Sequence, residues 1–240
     1  MTAFADVPAE RLTAAREFWS TVSGASVGAA TGGRGEFVPL EPPDGDSYLW
    51  LQRVDRPEPG WHVDLHVGDL ADGVRHAVSL GAAVTDERPS LAVLTTPAGQ
   101  PFCLAGEPGA RRRPEPYQWP DGHHSLVDQI CLDIPAPAFD RDLQFWAELT
   151  GWDRRHGTVP EFEHLIRPQT VPLRLLLQRL GPDDADGARA HLDLSSNDVP
   201  AEQARHLALG AVVVRVTDHW ITLRDPAGLI YCITNRQPGR

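Results

Sequence analysis

One stretch of this chain occurs twice. Residues 62–103 and 191–232 align without a gap, and 13 of 42 positions are identical. Unrelated sequences would match at roughly two or three such positions, so the alignment indicates an internal duplication. The shared residues include a His-x-Asp-Leu run, a Leu-Gly-Ala run, a Pro-Ala-Gly turn and a final cysteine. A chain built in this way is expected to fold as two copies of one architecture.

Each copy of the stretch predicts a strand, a helix and further strands. The alternating His-x-Asp-Leu run predicts a short strand, and the aspartate after it, Asp69 or Asp198, predicts a helix N-cap. The helix is expected to end at Leu-Gly-Ala, with Gly81 or Gly210 just beyond its last turn. Two β-rich runs joined by the Pro-Ala-Gly turn complete the copy.

The repetition extends upstream of this stretch. At an offset of 127, residues 6–9 (Asp-Val-Pro-Ala) parallel residues 133–136 (Asp-Ile-Pro-Ala), and Phe18-Trp19 parallels Phe145-Trp146. Each half of the chain therefore contains the unit strand-helix-strands twice. The first strand of the first half would begin at or before Met1 and is predicted to be truncated, whereas the second half has a full strand over 126–134.

The domain boundaries follow from the repeat and from one segment of distinct composition. Residues 108–122 are rich in Pro, Gly and Arg and have no periodicity, which is typical of a linker. The predicted domains are 1–107, with its truncated first strand, and 123–240. Each is long enough to bury a core of its own.

Composition excludes several classes of partner. The formal net charge is −11, from 22 basic and 33 acidic side chains, which argues against a nucleic acid or an anionic membrane surface as partner. No apolar run is long enough to span a bilayer, and the N-terminus lacks a signal-like segment. Three cysteines without short spacing favour buried thiols in a reducing compartment. We therefore expect a soluble, cytoplasmic protein.

The four units and their turns resemble the vicinal oxygen chelate superfamily, the group of glyoxalases, bleomycin-resistance proteins and ring-cleaving dioxygenases. The residues that carry the resemblance are the Asp225-Pro-Ala-Gly turn before the last strand, the His-x-Asp-Leu strand and the Phe-Trp pair of the first helix. The resemblance implies an α+β fold of two tandem glyoxalase-like domains. Each domain would consist of two βαβββ units, whose curved mixed sheet forms a cup with the helices outside.

Catalytic members of this superfamily hold a divalent metal with His, Gln and Glu side chains of first and last strands. Carried onto the second half, these positions fall on Gln129, near Gln178, on His191 and on Cys232. In the first half they fall at the positions Thr2, Gln52, His62 and Cys103. The His is thus present in both halves, and the usual final carboxylate is a cysteine in both.

The cysteine changes the metal that the resemblance implies. Mg, Mn and Fe(II) sites rely on carboxylate oxygens, which a neutral Gln or a thiol does not replace. We therefore expect no tightly bound ion of this kind, and at most zinc or nickel at partial occupancy, with His191 as ligand. Strand alternation places Asp193 on the same face as His191, and Asp64 on the same face as His62.

Three interpretations of His191, Asp193 and Cys232 remain open. The pair His191–Asp193 is either a hydrogen-bonded structural pair or a catalytic pair, with His191 as metal ligand or as general base oriented by Asp193. Cys232 is a buried filler or, least favoured, a nucleophile. The residues expected to contact ligand are Gln129, Gln178, Cys232, Trp152, Trp220, His62 and Asp64, and the best cavity is expected in the second half.

For function we favour a binding protein that holds a small organic molecule, in the manner of the sequestering, resistance-type members of the superfamily. The alternative is a metal-dependent lyase, isomerase or dioxygenase. The overall acidity favours a cationic or polar ligand. Because tandem duplication reproduces the dimer that the resemblance implies, we expect a monomer with an internal pseudo-dimer, or a homodimer.

Overall fold

The computed structural model describes residues 1–182, 184 and 187–239. The predicted second domain, 123–240, thus includes four residues (183, 185, 186 and 240) outside the described residues. In the described part, the first half forms an eight-stranded sheet and the second half a nine-stranded sheet, each with two α-helices. The predicted α+β fold of two tandem copies is confirmed. Among the described residues, no helix is long and apolar enough to cross a membrane.

The first half contributes strands β1 to β8 and helices α1 and α2. Their bounds are Thr2–Pro8 (β1), Leu12–Ser23 (α1), Ser26–Val27 (β2), Phe37–Glu41 (β3), Leu49–Val54 (β4), Gly60–His66 (β5), Leu70–Ser79 (α2), Ala83–Arg88 (β6), Leu91–Thr95 (β7) and Pro101–Ala105 (β8).

The second half contributes strands β9 to β17 and helices α3 and α4. Their bounds are Tyr117–Gln118 (β9), His124–Ile134 (β10), Phe139–Thr150 (α3), Arg154–His156 (β11), Phe162–Leu165 (β12), Arg174–Arg179 (β13), Arg189–Ser196 (β14), Val199–Ala208 (α4), Val212–Val216 (β15), Trp220–Arg224 (β16) and Ile230–Thr234 (β17). Strand β9 lies inside the predicted linker and pairs with β10.

The two sheets have the same strand order. In the first it is β2-β3-β4-β1-β5-β8-β7-β6, and in the second β11-β12-β13-β10-β14-β17-β16-β15. Strand β1 is parallel to β4, and β5 is parallel to β8, so each parallel pair spans a helix-containing crossover. The antiparallel pair β1–β5 joins the two units of the first half, and β10–β14 joins those of the second. Each half is therefore two βαβββ units side by side, as predicted.

The helix ends form where the sequence predicts them. The side chain of Asp69 accepts a hydrogen bond from Asp72 N, and that of Asp198 accepts one from Ala201 N, so both aspartates are N-caps. Gly81 and Gly210 adopt φ values of 105° and 93°, which a residue with a side chain rarely adopts.

Helices α1 and α3 pack across the boundary between the halves. The indole of Trp19 in α1 donates a 2.7 Å hydrogen bond to Asp225 Oδ2 in the other half. At the equivalent position of the other half, Trp146 of α3 lies against Phe102 of β8, with ring centroids 5.2 Å apart. Both tryptophans are almost fully buried. The two halves therefore share one continuous apolar core.

Strand β1 is paired along both edges. It spans seven residues against 11 for β10. It pairs with β4 from Ala3 to Pro8 and with β5 from Thr2 to Asp6. The first sheet is therefore continuous through β1.

Candidate metal and ligand site

The second sheet encloses a cavity of about 200 Å³, which we call the second cup. Successive side chains of a strand point to opposite faces of the sheet. Residues two apart on β10, β13 and β14 therefore face the same cavity. Six of the residues predicted from the sequence line this cavity: Gln129, Gln178, His191, Asp193, Trp220 and Cys232.

Trp152 is a correction, because it is not among the residues that line the second cup. It follows Gly151, whose φ of 66° ends helix α3 and turns the chain back. The half-buried indole then packs against the apolar core. In the sequence, a Trp that follows a helix-ending glycine is equally compatible with packing against the core and with lining a pocket. Residue type alone could not distinguish these two placements.

His191 lies between two carboxylates. Its Nδ1 donates a 3.0 Å hydrogen bond to Asp133 Oδ2, and its Nε2 lies 3.4 Å from Asp193 Oδ1. Burial disfavours a charged imidazole, but the carboxylate of Asp133 outweighs it and raises the pKa of His191 well above the ordinary value. The site therefore stabilises a positive charge at His191 Nε2, whether a proton or a cation supplies it.

Asp193 presents one oxygen that lacks a hydrogen bond. Its Oδ2 accepts a 2.5 Å hydrogen bond from Gln129 Nε2. Its Oδ1 is buried without a hydrogen-bond partner, and so is Gln129 Oε1. Burial would raise the pKa of Asp193, but His191 and Arg236 hold it below its usual range, so the carboxylate is ionised. The nearby His191 offsets part of this charge. Buried ionised oxygens without a hydrogen bond are nevertheless costly, which is why they often mark an absent ligand or ion.

Two cysteines flank His191. Cys232 of β17 lies beside Asp193 in the parallel ladder, and Cys131 of β10 lies opposite His191. Burial raises the pKa of both thiols, so both are protonated near neutral pH when nothing displaces the proton. A free nucleophilic thiolate at Cys232, the least favoured sequence interpretation, is disfavoured.

The ligand atoms of His191, Asp193 and Cys232 lie within 4.8 Å of one another. Tetrahedral zinc, with bonds of about 2.0–2.3 Å, holds neighbouring ligand atoms about 3.3–3.7 Å apart. The 3.4 Å between His191 Nε2 and Asp193 Oδ1 matches that spacing. The hydrogen bond from Nδ1 to Asp133 fixes the tautomer that a metal-bound imidazole requires. These three residues fit zinc, with a fourth position left for a ligand from the cavity.

The first cup repeats this row around a larger cavity of about 540 Å³. His62 Nδ1 donates to Asp6 Oδ2 at 2.9 Å, and His62 Nε2 lies 3.3 Å from Asp64 Oδ1, which has no hydrogen-bond partner. The ligand atoms of His62, Asp64 and Cys103 also lie within 4.8 Å of one another. The first half thus holds the larger of the two cavities, and the expectation that the better ligand site lies in the second half stays a prediction.

Aromatic rings form much of the wall of the first cup. Phe4 stacks on His62, with centroids 5.1 Å apart and planes within 9°, and on Trp50 at 5.9 Å. At the position of Gln129 the first half has Thr2, whose hydroxyl is hydrogen-bonded to His66 Nε2 instead of to the aspartate. Asp64 therefore lacks the amide that orients Asp193.

The sequence interpretation missed Asp6 and Asp133, the carboxylates that hold the histidines. Their signal was present, because both belong to the repeated Asp-x-Pro-Ala run, which was interpreted only as a strand end. Each aspartate lies one strand away from its histidine, so no sequence spacing connects the pair. The register that places Asp133 near His191 belongs to the pairing of β10 with β14.

Known proteins share this fold. The sequence model of the glyoxalase-like domain matches residues 2–105 and again 129–234. No curated protein sequence matches the chain. The Mn(II)-bound glyoxalase of Novosphingobium aromaticivorans superposes with a TM-score of 0.66 at 15% identity, over 97% of this chain and 80% of that one.

Two dioxygenases are also similar in structure. A variant of homoprotocatechuate 2,3-dioxygenase from B. fuscum has a TM-score of 0.62 at 12% identity, over 98% of this chain and 70% of that one. The 2,2',3-trihydroxybiphenyl 1,2-dioxygenase of Sphingomonas wittichii has a TM-score of 0.58 at 14% identity, over 97% and 88%. Because the domain model matches both halves, the chain belongs to the glyoxalase-like domain family.

Proposed function

We propose that the second cup is a metal-dependent site for a small organic molecule, built on a zinc-type ion held by His191, Asp193 and Cys232. One observation carries the proposal. A buried, ionised carboxylate oxygen of Asp193 without a hydrogen bond lies 3.4 Å from His191 Nε2, and Asp133 occupies the other ring nitrogen. A cation between these atoms would satisfy both.

The donor set favours zinc over the hard divalent ions. A thiol, an imidazole and one carboxylate are ligands that zinc accepts in tetrahedral geometry, whereas non-haem iron dioxygenases use two histidines and a carboxylate. Nickel is the second choice. Zinc has no redox chemistry of its own, so a lyase or isomerase is favoured over a dioxygenase.

Each residue of the second cup has a role in this proposal. A bound zinc ion supplies Lewis-acid polarisation of a ligand oxygen. Gln129 holds Asp193 in position through its amide, and Asp133 fixes the imidazole of His191. Gln178 and Trp220 line the remaining wall, where they would contact the body of the ligand.

The test is metal content. Purified protein is loaded with zinc, dialysed against metal-free buffer and analysed for zinc, in wild type and in the Asp193→Asn variant. The expected result is at least one equivalent in wild type and a loss of about one equivalent in the variant. Retention of the same zinc content by both proteins would contradict the proposal, as would wild-type protein that retains none.

A second candidate function is metal-independent sequestration of a small molecule in the first cup. The stacked rings of Phe4 and Trp50 beside a cavity of about 540 Å³ favour it, because small-molecule sites are mostly apolar clefts of this size. A resistance-type role would use this cup. The test is binding of neutral aromatic probes by calorimetry, which Phe4→Ala should weaken about tenfold and Phe162→Ala in the second half should leave unchanged.

Two further parts of the sequence interpretation stay proposals. The three cysteines are free and buried, which supports a reducing, cytoplasmic location. The packing of α1 and α3 across the halves supports a monomer that carries its own pseudo-dimer, with a homodimer as the alternative. Light scattering at several concentrations separates these two states.

A further inference from the structure

A cluster of arginines lies at one end of the second cup. Five side chains come from five separate segments of the chain, and we call them the arginine rim: Arg113, Arg155, Arg167, Arg174 and Arg236. Arg155 is exposed, and the other four are partly buried. Because the protein carries a formal net charge of −11, such a local excess of positive charge is not a consequence of composition.

Few acceptors balance the rim. The buried carboxylate of Asp128 accepts two hydrogen bonds from Arg236, at 2.7 and 3.0 Å, and its Oδ2 lies 3.8 Å from Arg174 Nε. Arg113 donates to the carbonyl of Gly239. In the described part of the chain, the guanidinium groups of Arg155 and Arg167 have no hydrogen bond or ion pair. Two buried carboxylates, Asp128 and Asp193, thus act on Arg236, and Asp128 also faces Arg174.

Several buried N–H donors of the rim make no hydrogen bond. The Nε atoms of Arg113, Arg167, Arg174 and Arg236 are all buried without a hydrogen-bond partner. Burial, followed by the charges of Arg113 and Arg174, lowers the pKa of Arg167 to about 10. Buried N–H donors without a hydrogen bond, in groups of like charge, destabilise the fold, so a function other than stability is expected of them.

The rim is continuous with the second cup. Arg236 and His164 line the same cavity as His191 and Asp193. Burial, and then the charges of Arg155 and Arg174, lowers the pKa of His164, so the field of the rim reaches the cavity wall. A molecule in the second cup can therefore reach Arg236 and the His191 centre together, and the other four arginines lie outside the cavity lining.

The first half does not repeat the two arginines that meet at Asp128. The repeat pairs Arg236 with Glu107 and Arg174 with Tyr48, so an acidic residue and a phenol occupy the corresponding positions. The first cup has other arginines in its lining, Arg56 and Arg88, and Arg56 is paired with Asp6. The rim favours an anionic ligand in the second cup, whereas the net charge alone favours a cationic or polar one.

We propose that the arginine rim binds an oxyanion, a carboxylate or a phosphate, of the molecule that enters the second cup. The ligand class is therefore a small organic acid. This inference rests on the proposed function, in which the second cup is the ligand site. Guanidinium groups pair with carboxylates and phosphates through two parallel hydrogen bonds. Arg236 lines the cavity, and Asp128 accepts only two hydrogen bonds from its five N–H donors. The cavity of about 200 Å³ leaves room for about seven groups of the size of water at about 30 Å³ each.

The first experiment measures thermal unfolding of the full chain with inorganic phosphate, in the presence of EDTA so that no metal binds the anion. Phosphate should raise the Tm of wild type more than sodium chloride of the same ionic strength does. Arg167→Gln and Arg174→Gln should each weaken the apparent phosphate affinity about tenfold, because each removes a charged hydrogen-bonding group. Arg215→Gln, an exposed arginine of the same half, is the matched control and should bind as wild type does.

The same variants separate a binding role from a structural one. Without phosphate, Arg167→Gln and Arg174→Gln should have an equal or higher Tm than wild type, since each relieves repulsion between cations. Lower Tm values with unchanged phosphate affinity would overturn the proposal. Arg155→Gln, at an exposed position, keeps the test informative if a buried variant fails to fold, and it too should weaken phosphate binding.

Two further arms identify the anion and separate this inference from the proposed function. Benzoate and phenyl phosphate should bind to wild type, and the neutral benzyl alcohol should bind at least about tenfold more weakly. Zinc content of the arginine variants should equal that of wild type, because no rim residue is among the proposed ligands. Normal zinc binding without any anion effect would overturn the rim and leave the zinc centre standing. Phosphate binding without zinc would support the rim and refute the zinc centre.

Discussion

The two cups descend from one repeated sequence, yet they present different chemistry. Both carry the row Asp-His-Asp and a cysteine on the next strand. The first surrounds this row with the stacked rings of Phe4 and Trp50 in a cavity of about 540 Å³, and the second with Gln129 and arginines around about 200 Å³. The shared row is explained by common descent, so function is better sought in the residues that differ.

The difference at one position is instructive. Gln129 donates from its amide to Asp193 Oδ2 and leaves Oδ1 directed toward His191. In the first cup the aligned Thr2 bonds to His66, and among the described residues no amide side chain donates to Asp64, which lies near His62 and Cys103. A preorganised ligand loses less freedom when it binds a metal, so the second cup should bind zinc first.

The largest expected effect comes from removing one histidine at a time. His191→Ala should lower the affinity for the first zinc equivalent by about 100-fold or more, since it removes a direct ligand. His62→Ala, the matched change in the first cup, should leave that equivalent unchanged. Competition titration with a chromophoric chelator measures both. An equal loss of zinc affinity in the two variants would contradict the prediction that the first zinc equivalent binds in the second cup.

A smaller effect is expected from making the second cup resemble the first. Gln129→Thr removes the amide donor of Asp193 without removing a proposed ligand. Loss of a group that orients a metal ligand costs about 10-fold or more in metal affinity, and the same chelator titration applies. A zinc affinity as high as that of wild type would mean that Gln129 does not orient Asp193.

Sequence and structure agree best where the period of side chains or a turn residue decides the outcome. The caps at Asp69 and Asp198, the turn at Gly210 and the face shared by His191 and Asp193 follow from local rules. The partner of His191 could not be predicted, because Asp133 lies on a neighbouring strand whose register depends on packing of the whole sheet. The arginine rim is assembled from five segments, so no local pattern marks it.

The contacts between the halves provide the smallest predicted effect. Burial raises the pKa of Asp225 to about 6, and its Oδ2 accepts from Trp19. A native pKa above the unfolded value means that the protonated form stabilises the fold. This contribution is full below about pH 4 and is lost as pH rises through about 6.

The variant Asp225→Asn removes this titration. The Tm of wild type minus that of the variant should therefore fall between pH 4 and pH 7, by roughly 3–6 °C. Arg224→Gln, next to it and exposed, is the control and should leave the pH dependence unchanged. A difference between wild type and Asp225→Asn that does not vary with pH would show that Asp225 does not titrate in this range.

The central claim is that His191, Asp193 and Cys232 hold one zinc-type ion, and cobalt substitution tests it most directly. Cobalt(II) bound by a thiolate gives an intense charge-transfer absorption in the near ultraviolet, so the spectrum reports the cysteine itself. The first equivalent of cobalt added to metal-free protein should give this band. It should disappear in Cys232→Ser and persist in Cys103→Ser. A spectrum without the band, or a band lost in Cys103→Ser but not in Cys232→Ser, would contradict the assignment of the metal to the second cup.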